Sequence, residues 1–466
     1  MQPLMKSFRL SNPKSILPSS WEGSGVGSLL LFLFLLLLPL GGVGGGVMAR
    51  GRVILITIDG MRAEMIDDPL MPSPFLKMMS RDGLRIDRVI GVPPTATYPS
   101  HTTIVTGELP VRHRVFYNRP FLWNKDTAHI SYWYADSIAV PTIWQRVHEA
   151  GMPTASLFWP VSTGSPYIDY NVPEFWSLDY SCDQMAYIKP FCTPQGILDE
   201  LEQNACGRLD TITYMAGSMQ RDGRTAAMAN YLMNRYQPRL MTIHLITTDY
   251  SQHALGTRSE RLMQDVASVD HAVGSIIENL RLTHRMDSTV ILVMGDHGFC
   301  DYSQTLSPNV WLTRAGLLSE KPGGPWEACF YVGGNTSFLY LNPSLSGGAG
   351  VGQTLHRVRR LLDELPEGER SLFRIVEKEE LTAKGADPAV ALALEPVVGV
   401  AVTNNRTGDV VTARTGGTHG FLSGQDPTTL IAYGAGITPA RQDSIRQTDI
   451  APWVLRLLID HDEVDR

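Results

Sequence analysis

Asp59 in ILITIDG, Thr97 in PPTATYPSH, Asp249 and His253 in HLITTDYSQH, Asp296 and His297 in VILVMGDHG, and His419 in GGTHG supply three carboxylates, three imidazoles and a hydroxyl. Three of these stretches begin with runs of Val, Ile, Leu and Thr, which read as buried strands of a parallel sheet, and ligands collect at the carboxyl ends of such strands. A mixed carboxylate and imidazole set beside a hydroxyl suits Zn²⁺ better than Mg²⁺, which favours an all-oxygen shell. The chemistry implied is hydrolytic. Taken singly, a strand-end Asp59 reads as a helix N-cap and a lone His419 as a satisfied loop histidine. Taken together they do not, because Asp296-His297-Gly at the end of a hydrophobic run would carry two polar groups to a buried sheet edge without partners.

The elements that must position these groups follow an alternation of strands and helices. Strands are expected at 53–58, 154–158, 241–247 and 289–294, with a helix over 259–282. The fold class is α/β, a central sheet with helices on both faces. After Gly298 the pattern loosens into a Gly/Pro loop at 321–324, an amphipathic helix at 355–365 and strands at 372–376 and 397–402, so a small cap is expected within about 300–418. The chain then returns through TLIAYGAG to a helix at 450–458. No internal repeat is visible.

With those residues in view, the chain resembles the nucleotide pyrophosphatase/phosphodiesterase (type I phosphodiesterase) family of the alkaline phosphatase superfamily. The likeness runs from about 52 to 458 and includes PFLKMMSRDG, TIVTGELPVRH, PTIW, FWP, YIDYN and LIAYGAG in the family's order. It implies an alkaline-phosphatase-like, mostly parallel sheet and two Zn²⁺ per chain. It also makes Thr97 the nucleophile, sharing one zinc with Asp59, Asp296 and His297, while Asp249, His253 and His419 hold the other. A threonine hydroxyl is a weak nucleophile at neutral pH, and a metal beside it stabilises the alkoxide. The implied reaction forms a covalent threonine ester, which water then hydrolyses. Asn118 stands where the family has a phosphate-contacting asparagine, and the backbone N–H of Thr97 is expected to help. Tyr98 and Tyr170 stand where the family stacks a nucleobase, a contact worth about 1–3 kcal/mol per base. Tyr98 reads equally well as a core aromatic, and the aromatic segment around Tyr170 as a lid or a packed loop.

Three departures are visible. Arg114 replaces a glycine before Asn118, either adding charge near the anion or reshaping a turn. Thr248 replaces a proline before Asp249, and Gly295 replaces a serine before the Asp-His pair. No ligand is lost. The frame Thr97-Tyr98-Pro99-Ser100-His101 lacks the cysteine or serine from which sulfatases make formylglycine. The resemblance implies hydrolysis of phosphodiester or pyrophosphate bonds, with extracellular nucleotides as the expected substrates. Two alternatives share the metal core: a choline or lipid-headgroup phosphodiesterase, and a phosphomonoesterase or phosphonate hydrolase.

Composition bears on place and partners. With 466 residues, 43% hydrophobic content and a net charge of −7, the chain can bury a large core and offers no basic surface for a nucleic-acid polymer. No obligate protein partner is evident. Lys6, Arg9 and Lys14 precede an uncharged stretch over 23–49 with an apolar core at 29–40. This N-terminal segment, 1–49, reads as a signal peptide or a signal anchor with a Gly-rich linker, ahead of a catalytic domain at 50–466. Either reading places the domain on the secretory route. Five cysteines fit that compartment, with a disulfide expected among Cys182, Cys192 and Cys206, while Cys300 reads as a core or disulfide residue. Asn335 and Asn405 begin sequons.

Overall fold

The computed structural model describes residues 51–459 except 123–130, 178, 180, 211–213, 215, 216, 346 and 423. The signal or anchor expected over 1–49 lies outside the described residues. Among the residues described, no helix is long and apolar enough to cross a membrane.

Six strands come first: β1 (Arg52–Ile58), β2 (Leu84–Ile90), β3 (Thr154–Leu157), β4 (Tyr170–Val172), β5 (Leu240–Leu245) and β6 (Thr289–Gly295). Then follow β7 (Cys300–Leu306), β8 (Ala328–Gly333), β9 (Thr336–Leu341), β10 (Phe373–Val376), β11 (Leu392–Pro396), β12 (Gly399–Val402) and β13 (Val411–Thr418). β14 (Thr428–Gly434) and β15 (Ala440–Arg446) lead into the helix Ile450–Leu458. Among the described residues, eight strands form one sheet in the order β15-β2-β14-β6-β1-β5-β3-β4. β14 is antiparallel to both its neighbours, and the other pairs are parallel.

The central position of β1 follows from its composition. RVILITI is buried beyond its first residue, as a strand covered on both faces must be. Ile54, Ile56 and Ile58 join one core cluster with Val266, Val269, Val273 and Ile277 of the helix Glu260–Leu282. Val53 and Leu55 join the opposite cluster with Ile104, Ile450 and Val454. Helices therefore cover both faces. The capping hydroxyl of Ser259 accepts the Leu262 N–H and starts the long helix where a polar residue meets an apolar-periodic run.

Two features of register build the site. Ile58 pairs with Leu245 on one side and Gly295 on the other, so the turns after β1, β5 and β6 leave the sheet at one level. β7 and β13 pair antiparallel with Cys300 opposite Thr418, which carries His419 back beside the Asp296-His297 turn. β12 completes this small three-stranded sheet. A separate antiparallel sheet, β10-β11-β9-β8, packs against Val358 and Leu362 of the helix Gly347–Asp363 and forms the smaller, cap-like layer.

Some expectations change. All five thiols are free. Cys192 and Cys206 each turn Sγ toward a carbonyl of their own segment, Ile188 O at 3.6 Å and Leu201 O at 3.4 Å, so the expected disulfide is not formed. Asn335 is buried, its amide donating to Val400 O and its Oδ1 accepting the Val402 N–H, both at 2.9 Å; the exposed Asn405 is the sequon open to a glycan. Gly295 has a steric reason. A Cβ there would lie 2.0 Å from Thr428 Oγ1 and 2.8 Å from Met61 O. Gly295→Ala is expected to cost about 1–3 kcal/mol of stability through overpacking, read as a lower urea midpoint at unchanged slope. An unchanged midpoint would contradict this steric account.

Candidate metal centre

Each candidate ligand is set by the turn, helix or loop that follows its strand. The Asp59 N–H donates to Leu245 O at 2.8 Å, extending the ladder one residue past β1. Gly60 then turns with φ +69°, and its N–H donates to Asp296 Oδ1 at 3.1 Å, where an added Cβ would strike the Phe299 ring. Asp249 and His253 lie four residues apart on the helix Thr247–Leu255 and share a face. The hydroxyl of Thr248, which replaces the family's proline, donates to Asp59 O at 2.6 Å and ties this helix to β1. Thr97 is the first residue of the helix Thr97–Thr106.

The structure brings these residues together as two groups, Asp59 with Asp296 and His297, and Asp249 with His253 and His419. In the first, His297 Nε2 is 3.3 Å from Asp59 Oδ1, 3.2 Å from Asp296 Oδ2 and 3.4 Å from Thr97 Oγ1. In the second, Asp249 Oδ1 lies 3.4 Å from His253 Nε2 and 3.8 Å from His419 Nε2. Donors at the usual distance from a tetrahedral zinc are separated by about 3.3–3.4 Å. The rings of His297 and His419 stack with centroids 3.5 Å apart and planes at 8°, so the two groups are neighbours. The first group is buried, while the His253 side chain is 46% exposed at the rim.

Hydrogen bonding tests whether a cation belongs here. Asp59 Oδ1, Asp249 Oδ1 and Asp296 Oδ2 are buried without a hydrogen-bond partner, and they are the oxygens that face the imidazole Nε2 atoms. Each imidazole donates from Nδ1 to a backbone carbonyl: His297 to Gly298 O at 3.1 Å, His253 to Gly417 O at 3.1 Å and His419 to Thr95 O at 2.9 Å. A carbonyl can only accept, so in the neutral ring Nε2 keeps its lone pair, aimed inward. Orphaned carboxylate oxygens and unshared imidazole lone pairs meeting at the same points fit a divalent cation in each group.

The electrostatics agree. Burial, and then the charge of Asp249, raise the Asp59 carboxyl well above its ordinary range; burial and Asp59 do the same to Asp296. Burial and the neighbouring His419 push His297 well down, and burial with His253 takes His419 to about 4. Both shifts favour the neutral ring of His297 and of His419, and the carboxylates are crowded, a charge pattern that a cation relieves.

Behind the ligands lies a layer that sequence reasoning missed. His101, one helical turn after Thr97, donates from Nδ1 to Thr97 O at 2.7 Å and accepts the Thr57 hydroxyl at Nε2 at 2.8 Å. His244, inside β5, has Nε2 3.1 Å from Asp59 Oδ2 and Nδ1 3.0 Å from Glu174 Oε2. Glu174 Oε1 in turn accepts the Tyr98 hydroxyl at 2.9 Å. Burial pulls the His244 ring down, but the hydrogen bond and charge of Glu174 outweigh it and leave its pKa raised. The one available signal was a histidine in a buried strand, a polar group that needs partners. Asp222 likewise holds the turn into the ligand helix, accepting the Ile246 N–H at 3.2 Å and the Thr247 hydroxyl.

The aromatic readings need correction. Tyr98 is 3% exposed, packed in the core with its hydroxyl on Glu174, and offers no open face for a base. Tyr170 stacks on Tyr236 with centroids 4.1 Å apart, near the amino end of β5 and away from the ligands. A cavity of about 140 Å³ on the ligand edge is instead lined by Phe158, Phe175, Trp176 and Tyr214. Asn118 is close to Thr97, its Oδ1 accepting the Tyr98 N–H at 2.9 Å. Arg114 is exposed and left-handed, φ 72°, which explains why glycine suits this turn.

The type I phosphodiesterase/nucleotide pyrophosphatase profile matches residues 53–422, and the chain belongs to that family. Mouse (Mus musculus) ectonucleotide pyrophosphatase/phosphodiesterase family member 7 is 23% identical over 291 residues, 61% of this chain and 58% of its own length. Rat (Rattus norvegicus) family member 3 is 24% identical over 257 residues, 53% of this chain and 24% of its own. The chain thus spans little more than half the length of these relatives, or less. Among solved structures, murine ectonucleotide pyrophosphatase/phosphodiesterase 5, an inactive variant in complex with AMP, has a TM-score of 0.61 at 17% identity, covering 88% of this chain and 95% of its own. The human protein of the same name gives 0.61 at 17% identity, covering 87% and 94%. These likenesses establish the fold.

Two outcomes are expected of this geometry. Glu174→Ala should weaken metal binding at the Asp59 group about 10–100-fold in chelator competition, with Glu174→Gln, which keeps a hydrogen-bonding side chain, losing less; equal affinities would contradict the positioning role of His244. Without metal, the raised Asp59 and Asp296 carboxyls favour the folded state while protonated. That stability is present at low pH and is lost as pH rises through their folded pKa values. The Tm difference between metal-loaded and stripped protein should therefore widen from pH 5 to pH 8, and a narrowing gap would contradict it.

Proposed function

We propose that this protein hydrolyses phosphodiester or pyrophosphate bonds of nucleotides, releasing nucleoside 5′-monophosphates, through a covalent ester on Thr97 at a site holding two zinc ions. The observation that carries the reading is the Thr97 hydroxyl at the start of a helix, 3.4 Å from His297 Nε2, beside three orphaned carboxylate oxygens. Zinc, when bound, supplies Lewis-acid charge to the phosphate oxygens and favours the alkoxide and hydroxide forms of nearby hydroxyl and water. The chain's own residues do the rest. The helix N-terminus offers the phosphate the Thr97 N–H and a positive dipole end, the Tyr98 N–H being held by Asn118, the Ser100 N–H by Ala96 O, and Pro99 having none. His101 holds the Thr97 carbonyl, and Asn118 holds the next N–H, so the nucleophile approaches along one line. Thr97 Oγ1 bonds phosphorus as the bond to the leaving oxygen breaks; water then bonds phosphorus from the opposite side and Thr97 Oγ1 leaves. Two in-line steps predict retention at phosphorus.

Family membership and the AMP held by the related murine protein support a nucleotide substrate. The N-terminal apolar stretch supports export, with the catalytic domain outside the cytosol. The test is turnover of p-nitrophenyl thymidine monophosphate and p-nitrophenyl phosphate, with and without chelator, by the wild type and Thr97→Ala. Chelator-sensitive preference for the diester, lost by at least a thousandfold in Thr97→Ala with the fold intact, is expected. Preference for the monoester, or substantial turnover by the variant, would refute the reading.

A further inference from the structure

The segment between β13 and β14 carries His419 at its start and Asp426 near its end. Asp426 is 2% exposed, and a buried carboxylate is costly unless donors reach it. Its donors come from two distant stretches of chain. The Gly420 N–H donates to Oδ2 at 2.9 Å, and the Thr95 hydroxyl donates to the same oxygen, its other acceptor, Phe421 O, lying farther off at 3.3 Å. A third stretch is held by the main chain, where Asp426 O accepts the Gly298 N–H at 3.1 Å. The two backbones touch there. A Cβ added at Gly298 would lie 2.8 Å from Asp426 O and 2.4 Å from Pro427 O.

Each of these contacts falls beside a residue of the metal centre. Gly298 follows His297, Gly420 follows His419, and Thr95 stands two residues before Thr97. Two of them also close a ring. His419 donates from Nδ1 to Thr95 O at 2.9 Å, the Thr95 hydroxyl donates to Asp426, and Asp426 takes the N–H of the residue after His419. The carbonyl that fixes the His419 tautomer is therefore anchored through its own side chain. The His419 ring in turn stacks on His297, which belongs to the other group, so its orientation bears on the spacing of the two.

We propose that Asp426 is a positioning residue for His419: through Thr95 it holds the imidazole in the tautomer and direction that aim Nε2 at the Asp249 group. The inference rests on the two-cation reading above and adds to it a residue that touches neither cation. The clamp needs an oxygen acceptor and no charge, because Asp426 Oδ1 is buried without a hydrogen-bond partner and takes no part in the ring. An asparagine, which keeps one oxygen, should therefore keep the clamp, and an alanine should not.

Two readouts on the full chain test this, in the wild type, Asp426→Ala, Asp426→Asn and Thr95→Val. The first is zinc titration in competition with a chelator. Asp426→Ala and Thr95→Val should weaken one of two equivalents about 10–100-fold and leave the other within about threefold, while Asp426→Asn stays close to the wild type. In a His253→Ala background, where the second group is already impaired, adding Asp426→Ala should leave the remaining equivalent unchanged. The second readout is nitrogen-15 NMR of the histidine side chains in zinc-stripped protein, with His419 assigned by the signal lost in His419→Gln. One Nδ1–H tautomer is expected in the wild type and Asp426→Asn, and a tautomer mixture in Asp426→Ala. Equal weakening of both equivalents, an asparagine variant as weak as the alanine one, or a His419 tautomer unmoved by Asp426→Ala would overturn the proposal. A wild type that binds no zinc would sink the two-cation reading instead, and the tautomer measurement would still decide the role of Asp426. If Asp426→Ala does not fold, Thr95→Val, which exchanges one hydroxyl for a methyl, carries the same comparison.

Discussion

Three buried carboxylate oxygens, on Asp59, Asp249 and Asp296, have no hydrogen-bond donor. A buried acceptor left without a partner costs about 1–3 kcal/mol, and more for a charged group, against a total stability of about 5–15 kcal/mol for a domain. A cation bound in each group would complete all three. Much of the surrounding architecture can be understood as holding them in place: the Gly60 N–H ties the end of β1 to Asp296 after β6, the Thr248 hydroxyl ties the helix after β5 to Asp59 O, the Gln447 amide donates to Asp296 O at 2.6 Å, and the pairing of β7 with β13 returns His419.

Imidazole ligands are useful only in one tautomer, and three backbone carbonyls enforce it. Asp59 is held from behind through His244 and Glu174 to the hydroxyl of Tyr98, the residue next to Thr97. Asp59 and Tyr98 are thus parts of one buried hydrogen-bonded chain, so a change at Glu174 is felt at both.

The first layer was legible because strand ends have a grammar. Asp59 and Asp296 stand where runs such as ILITI and VILVM stop, and polar groups there need partners. The parallel sheet, with helices on both faces, followed from the same runs. What was not legible depends on tertiary placement. Tyr98 follows Thr97 in sequence, yet a helix start turns its ring into the core; Tyr170 belongs to an edge strand two residues short of its carboxyl end. His244 and Glu174 are distant in sequence, and only the packing of β5 against the segment after β4 joins them. The expected disulfide failed for a similar reason: shared neighbourhood in sequence did not bring the thiols together.

The central claim is that each group holds one cation. Anomalous diffraction recorded above and below the zinc absorption edge, on crystals of the zinc-loaded protein, addresses it directly. The account predicts two peaks, one among Asp59, Thr97, Asp296 and His297 and the other among Asp249, His253 and His419. No peak at these positions, or a single peak elsewhere in the molecule, would contradict it.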